Sequence, residues 1–264
     1  MNEQWVTLSH GRTRYLSAGD GEPVLLLHGA GFVSGAHSWL PVISGLADNF
    51  HVVAPDMLGW GPGDQLTTPY SFGYLVDFVR EFQDALGLNP ASVVGHSMGG
   101  WIAALLAYES PERVGDLIIV AGGGLATRQL ASMTQFQAPT RAEIDAGIGR
   151  LGLPAAETAR ISDELESLAS DDARIERFRG LMQHMSTPEN RVRYNLERRL
   201  PMVSSPTLVL WGTADEVNEL SLGQRTVELI PKSELVTFPG AGHSLVAERP
   251  AEVVSSITTF LSRV

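Results

Sequence analysis

The chain has no cysteine in 264 residues. A disulfide framework, a thiolate metal site and a cysteine nucleophile are therefore all excluded. Basic residues are also scarce: 19 Lys and Arg stand against 30 Asp and Glu, for a formal net charge of −11. Phosphate backbones are held by clustered Lys and Arg, so this balance argues against nucleic acid as a partner. It suits an anionic membrane surface no better. No apolar run is long enough to span a bilayer. The opening "MNEQWVTLSHGRTR" is mixed and polar, with no charged n-region followed by an apolar h-region. These absences lead to the expectation of a cytoplasmic protein that contacts neither membrane nor nucleic acid.

What is present is an ordinary globular composition, 44% hydrophobic and 19% charged. The length suits one large α/β domain with room for an insertion. Short continuous apolar runs read as strands buried on both faces. They are "PVLLLHG" from Pro23, "FHVVAPD" from Phe50, "SVVGHS" from Ser92 and "RVGDLIIVAGG" from Arg113. Helical segments separate them. In "SFGYLVDFVREFQDALGL", Leu75, Phe78, Val79, Phe82 and Leu86 recur at helical spacing. Strand, helix, strand at this rhythm predicts a mostly parallel sheet with right-handed crossovers. From 126 to 200 no strand is evident, and "ISDELESLASDDARIERFRGLMQHM" reads as several short amphipathic helices. Alternation returns with "TLVLWG", "LSLGQRTVELI", "SELVTFPG" and "AEVVSSITTFLSRV". The expected organisation is a core of residues 1–125 and 201–264 interrupted by a helical insertion, 126–200.

One pentapeptide stands at the junction of a strand and a helix: Gly95-His96-Ser97-Met98-Gly99. A plain surface turn does not need glycine on both sides of a serine. A nucleophile held on a tight, strained elbow does. A serine hydroxyl is a weak nucleophile until a base takes its proton. His243, in "FPGAGHSLVAERP", follows the last strand and falls on the same sheet edge as the elbow. His28 ends a strand and reads as a brace between loops, while His10, His37, His51 and His184 have no motif around them. The base needs a carboxylate to fix its tautomer and stabilise its cation. Asp215 in "LVLWGTADEV" fills that role, with Glu216 and Glu219 as competitors on the solvated start of the next helix. The order Ser97, Asp215, His243 is the one this strand–helix arrangement requires. Backbone donors for an oxyanion are expected at Met98, directly after the serine, and at Ala30 in "HGAG". Gly31, Phe32, Trp60, His96, Trp101 and Leu245 lie near these positions in sequence and are candidates for the substrate pocket. No residue pattern calls for a cofactor or a metal.

With "LLLHGAG", "VVAPDMLGWG", "VVGHSMGG", "WGTAD" and "PGAGH" in this order, the chain resembles the α/β-hydrolase superfamily over essentially its whole length. The resemblance implies the α/β-hydrolase fold, with residues 126–200 as a helical cap over the active site. Within the superfamily, "HGAGFVSGAHSW", "APDMLGWG", "GHSMGG" and "VAGGGLA" are most similar to the meta-cleavage product hydrolases. Those enzymes cleave a carbon–carbon bond in 2-hydroxy-6-oxo-dienoates. The resemblance thus implies a cofactor-independent serine hydrolase acting on a small carbonyl substrate, and catabolic relatives suggest a homodimer. Three positions depart from that pattern. Ser244 follows His243 where tryptophan is expected, Ala169 stands where a cap arginine is expected, and His96 replaces a frequent asparagine. Arg174, Arg177 and Arg191 are the available substitutes for the missing cation. Carbon–carbon hydrolysis leads. Ester, thioester or lactone hydrolysis with the same triad, a non-catalytic receptor, and a proton-transfer or lyase variant stay open. Epoxide and haloalkane hydrolases are disfavoured, since they carry Asp where Ser97 stands.

Overall fold

In the computed structural model, which describes residues 1–126 and 131–263, eight strands form one sheet. They are β1 (Asn2–Leu8), β2 (Gly11–Ala18), β3 (Pro23–Leu27), β4 (His51–Pro55), β5 (Ala91–His96), β6 (Val114–Val120), β7 (Thr207–Gly212) and β8 (Ser233–Phe238). Their spatial order is β1-β2-β4-β3-β5-β6-β7-β8. The pairs β1–β2 and β2–β4 are antiparallel, and all the others are parallel.

Side chains alternate across a strand, so each apolar run feeds two cores. Leu25, Leu27, Val93, Leu117, Ile119, Val209 and Trp211 face one of them. Val24, Leu26, Val94, Ile118, Val120, Leu208 and Leu210 face the other. Helices α1 (Leu40–Ala47), α2 (Phe72–Leu86) and α3 (Met98–Glu109) follow in the first half. α2 starts where the Ser71 hydroxyl accepts the Tyr74 N–H at 3.2 Å and stops at Gly87, whose φ of 66° is left-handed. α3 is buried continuously from Met98 to Ala107, as a helix that is apolar all round must be.

Between β6 and β7 come α4 (Ala131–Thr134), α5 (Arg141–Gly149), α6 (Ala155–Ala169), α7 (Asp172–Ser186) and α8 (Pro188–Arg193). The remaining helices are α9 (Leu220–Leu229), α10 (Leu245–Glu248) and α11 (Pro250–Leu261). Residues 127–130, within the expected insertion, lie outside the described residues. The stretch read as several short helices forms two of fifteen residues, α6 and α7. They break at Ser170–Asp171, where the Asp171 carboxylate accepts the N–H groups of Ala173 and Arg174 at 3.0 and 3.1 Å. A small core of Ile144, Ile148, Ile161 and Leu165 joins α5 to α6.

The N-terminal hairpin had no counterpart among the expected strands. β1 is an edge strand with most of its side chains exposed, so it shows no apolar run. It is tied in from β2. The buried Arg14 donates Nε to Asp56 and Nη1 to Glu164 of α6, each at 2.7 Å. Asp56 uses its other oxygen to accept the Ala36 N–H at 2.7 Å. One guanidinium thus joins the hairpin, the loop after β4 and a helix of the inserted segment.

Gly180 sits in mid-α7, is exposed, and has nothing within 4 Å of the position a Cβ would take. Gly180→Ala should raise stability by about 1 kcal/mol. Urea unfolding checks this, and an unchanged or lowered midpoint would count against the helix being formed there in solution.

Candidate active site

β5 leads into α3 through Ser97, whose φ of 55° and ψ of −113° form a strained turn for a residue with a Cβ. The flanking glycines show why the turn is so tight. A Cβ on Gly95 would lie 2.2 Å from the Gly99 carbonyl oxygen, and one on Gly99 would lie 2.0 Å from the Leu27 oxygen. The helix start is pressed against β3 and β5, and only bare backbone fits. The Ser97 N–H donates to the Val120 carbonyl at 3.0 Å, and its own carbonyl accepts the Gly123 N–H at 2.9 Å.

Two loops at the same sheet edge bring side chains to Ser97. The Ser97 Oγ lies 3.0 Å from His243 Nε2. His243 Nδ1 lies 2.8 Å from Asp215 Oδ2. A carboxylate only accepts, so Nδ1 carries the proton, and Nε2 is left with its lone pair toward the serine hydroxyl. The Asp215 side chain is fully buried, and its second oxygen accepts the N–H groups of Val217 and Asn218, both at 2.8 Å. This fixes the carboxylate and leaves Oδ2 for the imidazole. Glu216 and Glu219, the competing acids, are exposed.

Met98 opens α3, so its N–H belongs to the first turn, which has no intrahelical acceptor. Ala30 lies on the loop after β3 and lines the cavity that holds Ser97. Neither N–H has a hydrogen-bond acceptor among the described residues. Both are free to serve a ligand.

That cavity, of about 550 Å³, is lined by Phe32, Val33 and Val217, by Met133 of α4 and Phe136 of the loop after it, and by Phe178 and Met182 of α7. Phe32, Phe136 and Phe178 form an aromatic cluster with ring centroids 4.8 to 6.1 Å apart. Among the described residues, its ionisable linings are His243 and Glu143 alone. Glu143 accepts the N–H and hydroxyl of Thr140, which hold its carboxyl below the usual range and keep it anionic at the rim.

Gly31 and Phe32 line the cavity, and the four other pocket candidates do not. Trp60 is buried, donates Nε1 to the Gly31 carbonyl at 2.9 Å and packs edge-on against Phe178. Trp101 turns inward, donating Nε1 to the Tyr194 carbonyl at 2.8 Å and packing on Phe72. Leu245 is buried in the core on the opposite face of the sheet. His96 points away from the cavity and donates Nε2 to the backbone carbonyl of His243 at 2.9 Å. Closeness in sequence did not predict direction, because side chains alternate along a strand and wind around a helix, and a turn such as that of Trp60 has no fixed period. The substitute arginines are also spent elsewhere. Arg174 donates to the carbonyls of Gly61 and Gly63, Arg177 to Gln65, and Arg191 to the carbonyls of Met185 and Ala126.

Two histidines, the buried His28 and the half-buried His96, brace the site in neutral form. His28 donates Nδ1 to Gly29 at 2.8 Å and accepts the Met57 N–H at 2.9 Å, locking one tautomer. Burial pushes His28 down to about 4. Burial, then the neighbouring His243, pushes His96 down to about 3. The lining residues Met133, Phe136, Phe178 and Met182 are not evident in the sequence, because neither a helix pattern nor a loop tells which apolar residue faces a cavity.

Comparison with known proteins agrees with this architecture. Residues 24–256 match the model of the alpha/beta hydrolase family. The chain belongs to that family and is a hydrolase. It is 30% identical over 250 residues to the 2-hydroxy-6-oxo-6-phenylhexa-2,4-dienoate hydrolase of Burkholderia cepacia, covering 89% of this chain and 86% of the relative. It is 28% identical over 264 residues to the human (Homo sapiens) monoacylglycerol lipase ABHD6, covering 91% of this chain and 75% of that one. A serine hydrolase involved in carbazole degradation, the CarC enzyme, superposes with a TM-score of 0.82 at 27% identity, over 99% and 98% of the two chains.

Two outcomes follow. Gly99→Ala should destabilise the fold by roughly 3 kcal/mol or more, because the Cβ meets backbone rather than a movable side chain; a denaturant midpoint close to wild type would refute the close approach. His28 and His96 set an acid limb. Below their ordinary value of 6.5 the unfolded chain takes up protons that folded His28 and His96 refuse. Stability should therefore fall as pH drops from 6.5 toward 4. Melting temperatures across that window should fall less steeply for His96→Asn. An equal slope in that variant would show that His96 is protonated in the folded protein.

Proposed function

We propose that this hydrolase works through an acyl-enzyme on Ser97, with His243 as base and Asp215 as its orienting acid. The observation that carries the reading is the unbroken relay Ser97 Oγ, His243 Nε2, His243 Nδ1, Asp215 Oδ2, opening onto an apolar cavity. His243 takes the serine proton as Oγ attacks a carbonyl carbon. The N–H groups of Met98 and Ala30 receive the charge that develops on the carbonyl oxygen. The His243 imidazolium, stabilised by Asp215, gives its proton to the leaving group. Water, activated by the same histidine, then releases the acid. In this reading residues 126–200 act as a cap on a core of 1–125 and 201–264. The cap supplies the wall that faces Ser97.

The cavity favours a neutral carboxylic ester with an apolar acyl group, or a similar thioester or lactone. Its walls are Phe, Met and Val. No cation lines it among the described residues, and Glu143 repels an anionic substrate at the rim. A second reading, carbon–carbon hydrolysis of a 2-hydroxy-6-oxo-dienoate-like compound, is supported by the Burkholderia cepacia dienoate hydrolase at 30% identity. Both readings use the same acyl-enzyme and differ in the leaving group: an alkoxide oxygen in one, a carbon in the other.

Stopped-flow absorbance with p-nitrophenyl butyrate beside 2-hydroxy-6-oxo-6-phenylhexa-2,4-dienoate tests both. Ester turnover should exceed loss of the dienoate chromophore. Ser97→Ala should lower it by about 10³-fold or more while the protein stays folded. Turnover retained in folded Ser97→Ala would sink the mechanism. Faster dienoate loss that depends on Ser97 would replace the ester reading with the carbon–carbon one.

A further inference from the structure

Asn218 is a buried polar residue just past Asp215, with 6% of its surface exposed. Its carboxamide nitrogen donates to two consecutive carbonyls, Ala121 at 2.9 Å and Gly122 at 3.2 Å. Only the NH₂ end can face two carbonyl oxygens, so the orientation of the amide is fixed by chemistry. Its backbone N–H donates to Asp215 Oδ1 at 2.8 Å, and its backbone carbonyl accepts Trp211 Nε1, also at 2.8 Å. Every one of these partners is part of the framework around the relay.

The segment held by the amide is hydrogen-bonded to the elbow through Gly123. Ala121 has a φ of 47°, which costs energy for a residue with a Cβ, and its N–H is tied to Leu210 of β7 at 2.9 Å. Two residues on, the Gly123 N–H holds the Ser97 carbonyl at 2.9 Å. The loop after β6 therefore supports the serine from behind, and Asn218 fastens the loop after β7 to it. We infer that Asn218 is a positioning residue that sets the distance between the acid and the nucleophile by clamping the Asp215 loop to the 121–123 turn. The inference rests on the Ser97–His243–Asp215 reading.

Asp215 Oδ1 is held by the N–H groups of Val217 and Asn218, so the carboxylate turns only as far as that backbone turns. Without the amide donors, two buried carbonyls lose their partners and the 215–218 turn loses its outer anchor. Oδ2 then drifts from His243 Nδ1, and the imidazole loses its fixed tautomer. A displacement of this kind weakens the proton relay and leaves the apolar walls untouched, so kcat falls while KM holds.

The test is steady-state hydrolysis of p-nitrophenyl butyrate by the full-length protein, expressed per folded molecule. The variants are Asn218→Ala, the isosteric Asn218→Asp, Asp215→Ala and the double variant Asp215→Ala with Asn218→Ala. Asn218→Asp removes both donors without opening a cavity, so a readout remains if the alanine variant fails to fold. Each folded Asn218 variant should lose roughly tenfold or more in kcat with KM within about twofold. In the Asp215→Ala background the Asn218→Ala loss should shrink to about twofold or less, since both act through one carboxylate. The inference is overturned if a folded Asn218 variant keeps kcat within twofold of wild type. It is equally overturned if the two losses multiply in the double variant. Failure of the underlying relay reads differently: Ser97→Ala would then retain turnover, whatever the Asn218 variants do.

Discussion

The site depends on one close approach. The start of α3 is pressed so tightly against β3 and β5 that Gly95 and Gly99 have no room for a Cβ. From that contact comes the positive φ of Ser97, and from that φ the projection of its hydroxyl away from the sheet edge. It also brings the Met98 N–H, at the positive end of the α3 dipole, next to the same hydroxyl. The burial of α3 from Met98 to Ala107 holds the helix in place. A strained turn persists only where its surroundings over-determine it, and here a fully buried helix does so.

Around the elbow, the polar groups are spent with little left over. Asp215 has one oxygen on two backbone N–H groups and one on His243. His96 holds the carbonyl of His243, and His28 ties the loop after β3 to the loop after β4. Trp60 clamps the Gly31 carbonyl on the same loop as Ala30. These bonds fix the loops after β3, β4, β7 and β8 around the elbow. They hold the loops that carry the hydroxyl and the imidazole, and the proposed mechanism draws on that fixed framework to receive the developing charge.

Much of this could be read from the chain because the central strands are buried on both faces. "PVLLL" and "TLVLWG" announce themselves as continuous apolar runs, and the elbow pentapeptide follows one such run directly. Asp215 and His243 could be brought to Ser97 on paper because each follows a parallel strand, and parallel strands end at one edge. The hairpin of β1 and β2 was illegible for the opposite reason: an exposed edge strand has no burial pattern to show. The pocket was illegible in part. Phe32 and Gly31 line it, but Trp60 and Trp101 are packed into the core on one face of the sheet, Leu245 into the core on the other, and His96 does not line it. Phe178 and Met182 come from a helix some eighty residues away in sequence. Only the packing of that helix over the sheet edge brings them to Ser97.

The proposed mechanism turns on an acyl group carried by Ser97. The direct measurement is rapid acid quench of the enzyme turning over p-nitrophenyl butyrate, followed by peptide mass analysis. A butyryl increment is expected on the peptide that contains Ser97, formed within the burst of nitrophenol release and absent from Ser97→Ala. A burst with the adduct on another residue, or turnover at wild-type rate in Ser97→Ala, would contradict it.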